Sequence, residues 1–388
     1  MNFIKASNFC SHITDGTHDS PIYQNNGYKL VTSKFIKNNR IDFSNAPCIS
    51  ISDFEKINLR SKVEINDILF SMIGTIGEVA LVSDNSFAIK NMGLFRCHNE
   101  LDAKYLFYYL QSSKAKEYIE ESKAGSTQQY LTLNSLKMFP VPIFEVEYKY
   151  HIVDILGTLD EKIDFFDKQI RLLEKQGQLF YQDIFESSKF KTEKVDLAKI
   201  AVFQNGYSYS GDELCETSAD CLATIKNFDR QGGFKIDGFK PIKVAGKIKP
   251  EMYAEVGDLL VAHTDLTQNA DIIGNPALLL NTSMYKRVII SMDLVKVNSN
   301  TLSNELLYYI LKSDKFKGHA RGYCSGTTVL HLNKKALQEY MFDMPIDKEV
   351  VLRLEKHLSA IFDRIKSILK EIKQLKKLKS LYLKKFFD

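Results

Sequence analysis

The sequence predicts an α+β protein in which two similar globular segments are separated by a long two-helix coiled coil. Three observations lead there: two heptad ladders, their opposite flanking charge, and a tandem repeat that carries a ladder in each copy.

The first ladder reads Ile152, Leu156, Leu159, Ile163, Phe166, Ile170, Leu173, Gly177, Phe180, Ile184. The second reads Leu354, Leu358, Ile361, Ile365, Ile368, Ile372, Leu375, Lys379, Tyr382, Phe386. Apolar residues recurring every ~3.5 positions make a seam that must be buried against another helix, and two such seams can bury each other. The seam is expected at Leu159, Ile163, Phe166, Ile170 and Leu173 on one helix and at Ile361, Ile365, Ile368, Ile372 and Leu375 on the other. Gly177 and Lys379 share one slot where an apolar residue belongs. That slot reads as a frayed end, or as a device that fixes register or leaves room for another subunit.

Charge favours pairing between the two ladders. Residues 145–188 hold 10 acidic and 5 basic residues, a net of −5, whereas residues 346–388 hold 12 basic and 6 acidic residues, a net of +6. Opposite flanking charge favours one helix on the other over either on its own kind.

The repeat runs through the rest of the chain. Glu64-Ile-Asn-Asp-Ile-Leu69 matches Glu255-Val-Gly-Asp-Leu-Leu260, and Tyr105-Leu-Phe-Tyr-Tyr-Leu110 matches Glu305-Leu-Leu-Tyr-Tyr-Ile310. Leu131-Thr-Leu-Asn134 matches Leu330-His-Leu-Asn333, and the ladders follow in the same order. An ordered set of matches indicates tandem duplication with loop insertions. The organisation is therefore a globular segment at 1–145, a helix at 146–188, a second globular segment at 189–345 and a second helix at 346–388.

Within the globular segments, β-type runs at 68–73, 78–82 and 287–291 are punctuated by Gly, Asn and Asp, while 102–122 and 303–317 read as helices. A mostly mixed or antiparallel sheet is expected. Pro140, Pro142 and Pro345 bias the backbone to extended conformation just before each long helix.

Composition narrows the function classes. The chain is 44% hydrophobic and 26% charged, enough apolar content for two cores. No run approaches the ~18–20 apolar residues of a membrane span, and the start lacks the pattern of a secretory signal, so a cytoplasmic protein with no membrane partner is expected. Cys10, Cys48, Cys97, Cys215, Cys221 and Cys324 show no C-x-x-C spacing and read as reduced thiols. The globular segments are nearly neutral, at +1 for 1–144 and +2 for 189–345, so nucleic-acid binding would need Lys and Arg clustered on one face.

Catalytic signatures are missing. Gly74-Thr-Ile-Gly77 lacks the Lys and Ser or Thr of a phosphate loop, and Asn275-Pro276-Ala277 stops short of the tetrapeptide with which amino-methyltransferases hold a base. Asp67 with Glu78, and Asp258 with Asp265 and Asp271, read as loop acids rather than metal ligands. His12, His18, His263, His319 and His331 are scattered, and none neighbours an obvious nucleophile. No catalytic residue, no metal site and no cofactor of its own is expected.

A duplicated domain-plus-helix without catalytic motifs resembles the specificity (S) subunit of type I restriction-modification systems. The stretches that carry the resemblance are Ile13-Thr-Asp-Gly-Thr-His18 with Ser20-Pro21, Asp67 to Gly77 followed by Val79-Ala-Leu-Val82, and Gly257 to Thr267 continuing to Ala277. Ile152-Val-Asp-Ile-Leu-Gly-Thr-Leu-Asp-Glu-Lys-Ile163 is similar to the family's first conserved helix. One departure is Glu145-Val-Glu-Tyr-Lys-Tyr150, which replaces the family's Pro-rich lead-in. The resemblance implies two target-recognition domains, each reading half of a split double-stranded DNA target, with the helices as an antiparallel spacer and a pseudo-two-fold relation between the halves. It also implies methyltransferase and restriction subunits as partners, which hold S-adenosylmethionine, ATP and Mg.

Sequence readout needs amides, Arg and hydroxyls at base edges and Lys or backbone amides on phosphates. Two repeated polar loops offer Thr127, Gln128 and Gln129 before Leu131, and Thr327 and Thr328 before Leu330. Thr17, His18, Lys226, Asn227, Arg230 and Arg321 are the other candidates. Two rival classes stay open: an enzyme acting on DNA unaided, and a coiled-coil adaptor that binds no nucleic acid. A specificity subunit of a related methyltransferase-nuclease system is a third variant.

Each ladder spans roughly 50 Å at ~1.5 Å per residue, the scale of a ruler between half-sites. Removing one heptad from both helices is expected to change the unspecified gap in the methylated target and leave both half-sites intact. A changed half-site with an unchanged gap, read by methylation mapping, contradicts the ruler.

Overall fold

The computed structural model describes residues 2–125, 128–230, 233–265, 271–326 and 329–388. The chain divides into two compact units, residues 1–165 with 373–388, and residues 166–372.

In unit 1 the main sheet runs Cys10–Asp15, Met92–Cys97, Ile68–Ser71, Val79–Leu81, antiparallel throughout. A second sheet runs Cys48–Ile49, Tyr28–Val31, Phe87–Ile89, the last two strands parallel. Asn2–Lys5 pairs with Pro140–Ile143. Unit 2 repeats this plan. Its main sheet runs Ala201–Asn205, Leu294–Ser299, Leu259–Ala262, Pro276–Leu278. Its second sheet runs Lys240–Pro241, Asp220–Ala223, Arg287–Ile290, Tyr253–Ala254, and Thr192–Asp196 pairs with Met341–Pro345. The duplication read from short sequence matches thus extends to strand order.

Side-chain alternation explains why the central strands read as unbroken apolar runs. Ile68 and Phe70 enter a core shared with helix Glu100–Tyr109, while Leu69 enters another beneath the second sheet. In unit 2, Leu259 and Val261 divide from Leu260 and Ala262 in the same way. A strand covered on both faces has no polar side to show. Pro140 and Pro142 lie in a two-stranded pair, where an edge tolerates a missing N–H.

The single helices read over 102–122 and 303–317 are each two helices, Glu100–Tyr109 then Ser113–Ser122, and Asn304–Lys312 then Asp314–Arg321. Ser112 and Ser313 cause both breaks. Each is buried and extended, and its hydroxyl accepts the next helix's free N–H, from Ala115 at 3.2 Å and from Phe316 at 3.3 Å.

The ladders form helices Val146–Tyr181 and Lys348–Phe387, and each contributes to both units. In unit 1, Ile152, Leu156, Leu159 and Ile163 are buried. His151 meets Phe386 at 5.8 Å and Asp160 meets Lys379 at 2.7 Å, so numbering falls along one helix as it rises along the other and they run antiparallel. In unit 2, Phe166 is buried and Ile170 and Leu173 half-buried against the core that holds Leu354, Leu358, Ile361 and Ile365, and Phe180 meets His357 at 5.6 Å. Ile368 and Ile372 are buried, and Leu375 is half-buried.

Gly177 and Lys379 are not frayed ends. Each lies inside a continuous helix and receives a tyrosine from the globular part of its unit. The Tyr309 hydroxyl donates to the Glu174 carbonyl at 3.2 Å, and a Cβ on Gly177 would lie 2.1 Å from that hydroxyl. In unit 1 the Lys379 ammonium sits 5.4 Å from the Tyr108 ring centre and bonds Asp160. Burial pulls the Lys379 pKa down and Asp160 opposes it. The seam therefore yields one apolar position per helix to a large aromatic side chain.

Gly177→Ala is expected to cost about 1–3 kcal/mol, because Tyr309 is fully buried and cannot move aside. Gly211→Ala, which meets nothing within 4 Å, should change stability by less than about 0.5 kcal/mol. Urea denaturation of both variants checks the contrast.

Candidate nucleic-acid interface

In unit 1 a loop leaves strand Cys10–Asp15 and crosses beneath strand Phe87–Ile89. Gly16 makes the crossing possible, since a Cβ there would lie 2.6 Å from the Ile89 carbonyl oxygen. The loop is then pinned by Thr17 N–H to Ile89 O at 3.1 Å and by Asn91 N–H to Thr17 O at 3.1 Å. Asn91 holds the left-handed conformation that this turn needs, at φ 53°. The result is a fixed platform that carries Thr17 and His18.

Unit 2 builds the same platform from different residues. Gly206 crosses where a Cβ would meet Ser291 O at 2.0 Å, Tyr207 N–H reaches Ile290 O at 2.7 Å, and Met292 N–H reaches Tyr207 O at 2.8 Å. Asn205 stands where unit 1 has Asp15, opposite Val295 as Asp15 is opposite Gly93. The Tyr207 hydroxyl donates to Glu213 at 2.8 Å and that bond raises the tyrosine pKa, while the glutamate's is lowered first by the Ala245 and Ser210 N–H groups and then by this hydroxyl.

The other sequence candidates are dispersed. Gln128 and Gln129 are exposed on a turn closed by reciprocal Ala124 and Tyr130 backbone bonds at 2.9 Å. Thr127, Thr327 and Thr328 lie outside the described residues. Lys226 and Arg230 are exposed on one turn, Arg230 lying 3.8 Å from the Asp271 carboxylate. Asn227, between them, is 0% exposed. Its side-chain amide donates to Lys235 O at 2.7 Å and its oxygen accepts from Thr224 N–H at 2.9 Å, so it shapes the turn and offers nothing to a ligand. Arg321 is exposed at the end of helix Asp314–Arg321. Among the described residues, no hydrogen bond or ion pair links Arg321 to the Lys226–Arg230 turn.

Sequence reasoning missed several cations. Arg60, on helix Ile51–Ser61, reaches Asp15 across 45 positions, a distance that no local pattern signals. Arg287 is held bidentately by Asp220 and lies 5.7 Å from the Tyr253 ring centre. The Asp220 pairing holds the Arg287 pKa up. No described group of three or more His, Cys, Asp or Glu could hold a metal ion, and no described helix is long and apolar enough to cross a membrane.

Unit 2 also has a cleft beside the strand position that is Gly93 in unit 1 and Val295 in unit 2. In unit 1, Met72 and Leu136 pack where a Gly93 Cβ would stand, at 3.3 and 2.3 Å. In unit 2, His263, Val295 and Leu337 take the corresponding places, and with Asn205, Lys334 and Gln338 they bound a cavity of about 220 Å³. The His263 Nε2 is buried without a hydrogen-bond partner among the described residues. Burial, then the nearby Lys334 and His331, pushes the His263 pKa down to about 4 from 6.5. The folded state thus takes up this proton later than the unfolded state, so the imidazole penalises folding as pH falls from 6.5 towards 4 and has no effect above that window. His263→Met, the residue unit 1 uses, should remove up to about 3 kcal/mol of acid sensitivity. Urea denaturation at pH 7 and near pH 4 checks this, and an unchanged pH dependence contradicts it.

Comparison with known proteins follows this geometry. Residues 13–175 match the family described as the type I restriction modification DNA specificity domain. The chain is 26% identical over 361 residues to the type I restriction enzyme MjaVIII specificity subunit of Methanocaldococcus jannaschii, covering 84% of this chain and 80% of that protein. It is 25% identical over 151 residues to the type I restriction enzyme EcoBI specificity subunit of Escherichia coli, covering 37% and 31%. The crystal structure of the type I restriction-modification system S subunit from M. genitalium shares the fold, with a TM-score of 0.55 at 16% identity over 100% of this chain and 96% of that one. Over residues 13–175 the chain thus matches the DNA specificity domain model, and over 84% of its length it is similar to a type I specificity subunit.

Proposed function

We propose that the chain is the DNA sequence-specificity subunit of a type I restriction-modification complex. It binds a bipartite double-stranded target through its globular segments, 1–145 and 189–345, and recruits methyltransferase and restriction subunits through 146–188 and 346–388. One observation carries this reading: a single backbone scaffold occurs twice, with the same strand order and the same glycine crossing, yet presents Asp15, Thr17 and His18 in one copy and Asn205, Tyr207 and Ser208 in the other. Reading two different half-sites calls for one rigid frame with exchangeable surface side chains.

The subunit contributes recognition and no bond-making step. S-adenosylmethionine, ATP and Mg belong to the partner subunits, and the complex works in the cytoplasm. Contacts to DNA are assigned to Thr17, His18, Thr127, Gln128, Gln129, Lys226, Arg230, Arg321, Thr327 and Thr328, with Asn227 withdrawn because it is buried.

Replacing residues 189–345 by the corresponding segment of the MjaVIII relative should change one half of the methylated motif and leave the other half untouched. Methylation mapping of cells carrying the hybrid reads this directly. A motif altered in both halves, or in neither, contradicts the division of labour.

A further inference from the structure

Unit 1 holds a polar cluster that its fold does not need. Asp15 is 6% exposed, and both of its oxygens are engaged, Oδ2 with His18 Nε2 at 3.0 Å and Oδ1 with the Arg60 guanidinium. The other ring nitrogen of His18 is 2.7 Å from Asn91 Oδ1. Although tied from below, the His18 and Arg60 side chains stay 62% and 57% exposed. Lys90 reaches the Ser20 hydroxyl of the same loop at 2.6 Å. Unit 2 closes the corresponding loop with the same backbone bonds and has Asn205 in place of the carboxylate. The loop can therefore form without this cluster.

We infer that the cluster is a phosphate clamp, in which Arg60 and Lys90 hold the phosphodiester backbone of one DNA strand, and that Asp15, braced by His18, is the positioning residue that aims Arg60. The inference rests on the DNA-binding reading and adds a division between backbone and base contacts. Arg60 and Lys90 supply charge, and the Thr17 and Ser20 hydroxyls of the pinned loop supply short polar contacts. Base reading fits less well. Both His18 ring nitrogens are already engaged, and Arg60 has committed one terminal amino group to Asp15, which spoils the free fork that a guanine edge requires. Asp15 places one negative charge beside the site, and its value lies in orientation.

The test uses the chain in complex with its methyltransferase partner. Two duplexes are compared, one carrying the mapped target and one with both half-sites scrambled, and affinity is followed by fluorescence anisotropy between about 50 and 200 mM salt. Arg60→Gln and Lys90→Gln should each flatten the plot of log affinity against log salt by about 0.9, which shrinks the salt-induced loss across that range by about 3.5-fold. Both should weaken the two duplexes in equal proportion, while Arg60→Lys keeps the slope. Asp15→Asn separates positioning from bulk charge, because removing a negative charge from a bystander tightens binding whereas releasing Arg60 loosens it. An unchanged slope in Arg60→Gln overturns the clamp, as does a loss confined to the target duplex, which would make Arg60 a base reader. Tighter binding by Asp15→Asn overturns the positioning role. Wild-type complex that holds both duplexes equally well would overturn the sequence-specificity reading instead, with the clamp still legible in the slopes.

Discussion

The structure depends on one packing constraint: neither globular segment closes its own core. In unit 1, helix Glu100–Tyr109 lies against Ile152 and Leu156 of ladder helix Val146–Tyr181, and the remaining side is covered by Phe386 and Phe387 from the far end of the second ladder helix. Tyr105 and Tyr109 meet Phe387 at 5.8 and 5.4 Å. Unit 2 solves the same problem with Tyr181 at the end of the first ladder helix and Phe185 in the π-helical turn Gln182–Glu186 that follows, alongside Leu354, Leu358 and Phe362 of the second. Burying each such aromatic ring is worth about 1.5–3 kcal/mol. The ladder helices are therefore structural walls of both units as well as partners for one another. Gly177 and Lys379 are the positions where seam packing gives way to this wall function.

A frame fixed in this way leaves the loops above it free to differ. The glycine crossings at 16 and 206 hold two platforms in the same backbone path, while the side chains they carry diverge completely. The interior diverges less, and where it does, compensation is local. Met72 and Leu136 crowd Gly93 in one unit, whereas in the other His263 beside Val295 lines a cleft and its Nε2 has no partner among the described residues. Retained interior and variable surface are what a duplicated recognition scaffold requires.

Much of the architecture was legible in the sequence because it is written in periodicity. The 3.5-residue ladders located both long helices, and ordered repeats announced the duplication before any strand order was known. Breaks were harder to see. Ser112 and Ser313 stop helices inside segments whose apolar pattern continues, and a buried serine cap looks like any other serine in a linear reading. The interface was least legible. Thr17 and His18 stood out by motif, but Arg60 joins them only through folding, and Asn227, polar and flanked by charge, proved to be an internal strut. Contact residues on loops are set by tertiary neighbours, which leave no spacing rule behind them.

The central claim is that one chain reads two separate half-sites on duplex DNA. The most direct measurement is single-molecule sequencing of methylated adenines in cells that express the chain with its methyltransferase partner, set against cells lacking it. Two specified segments separated by a stretch of unspecified bases, present only with the chain, is the predicted result. A single continuous motif, or methylation indifferent to the chain's presence, would contradict it.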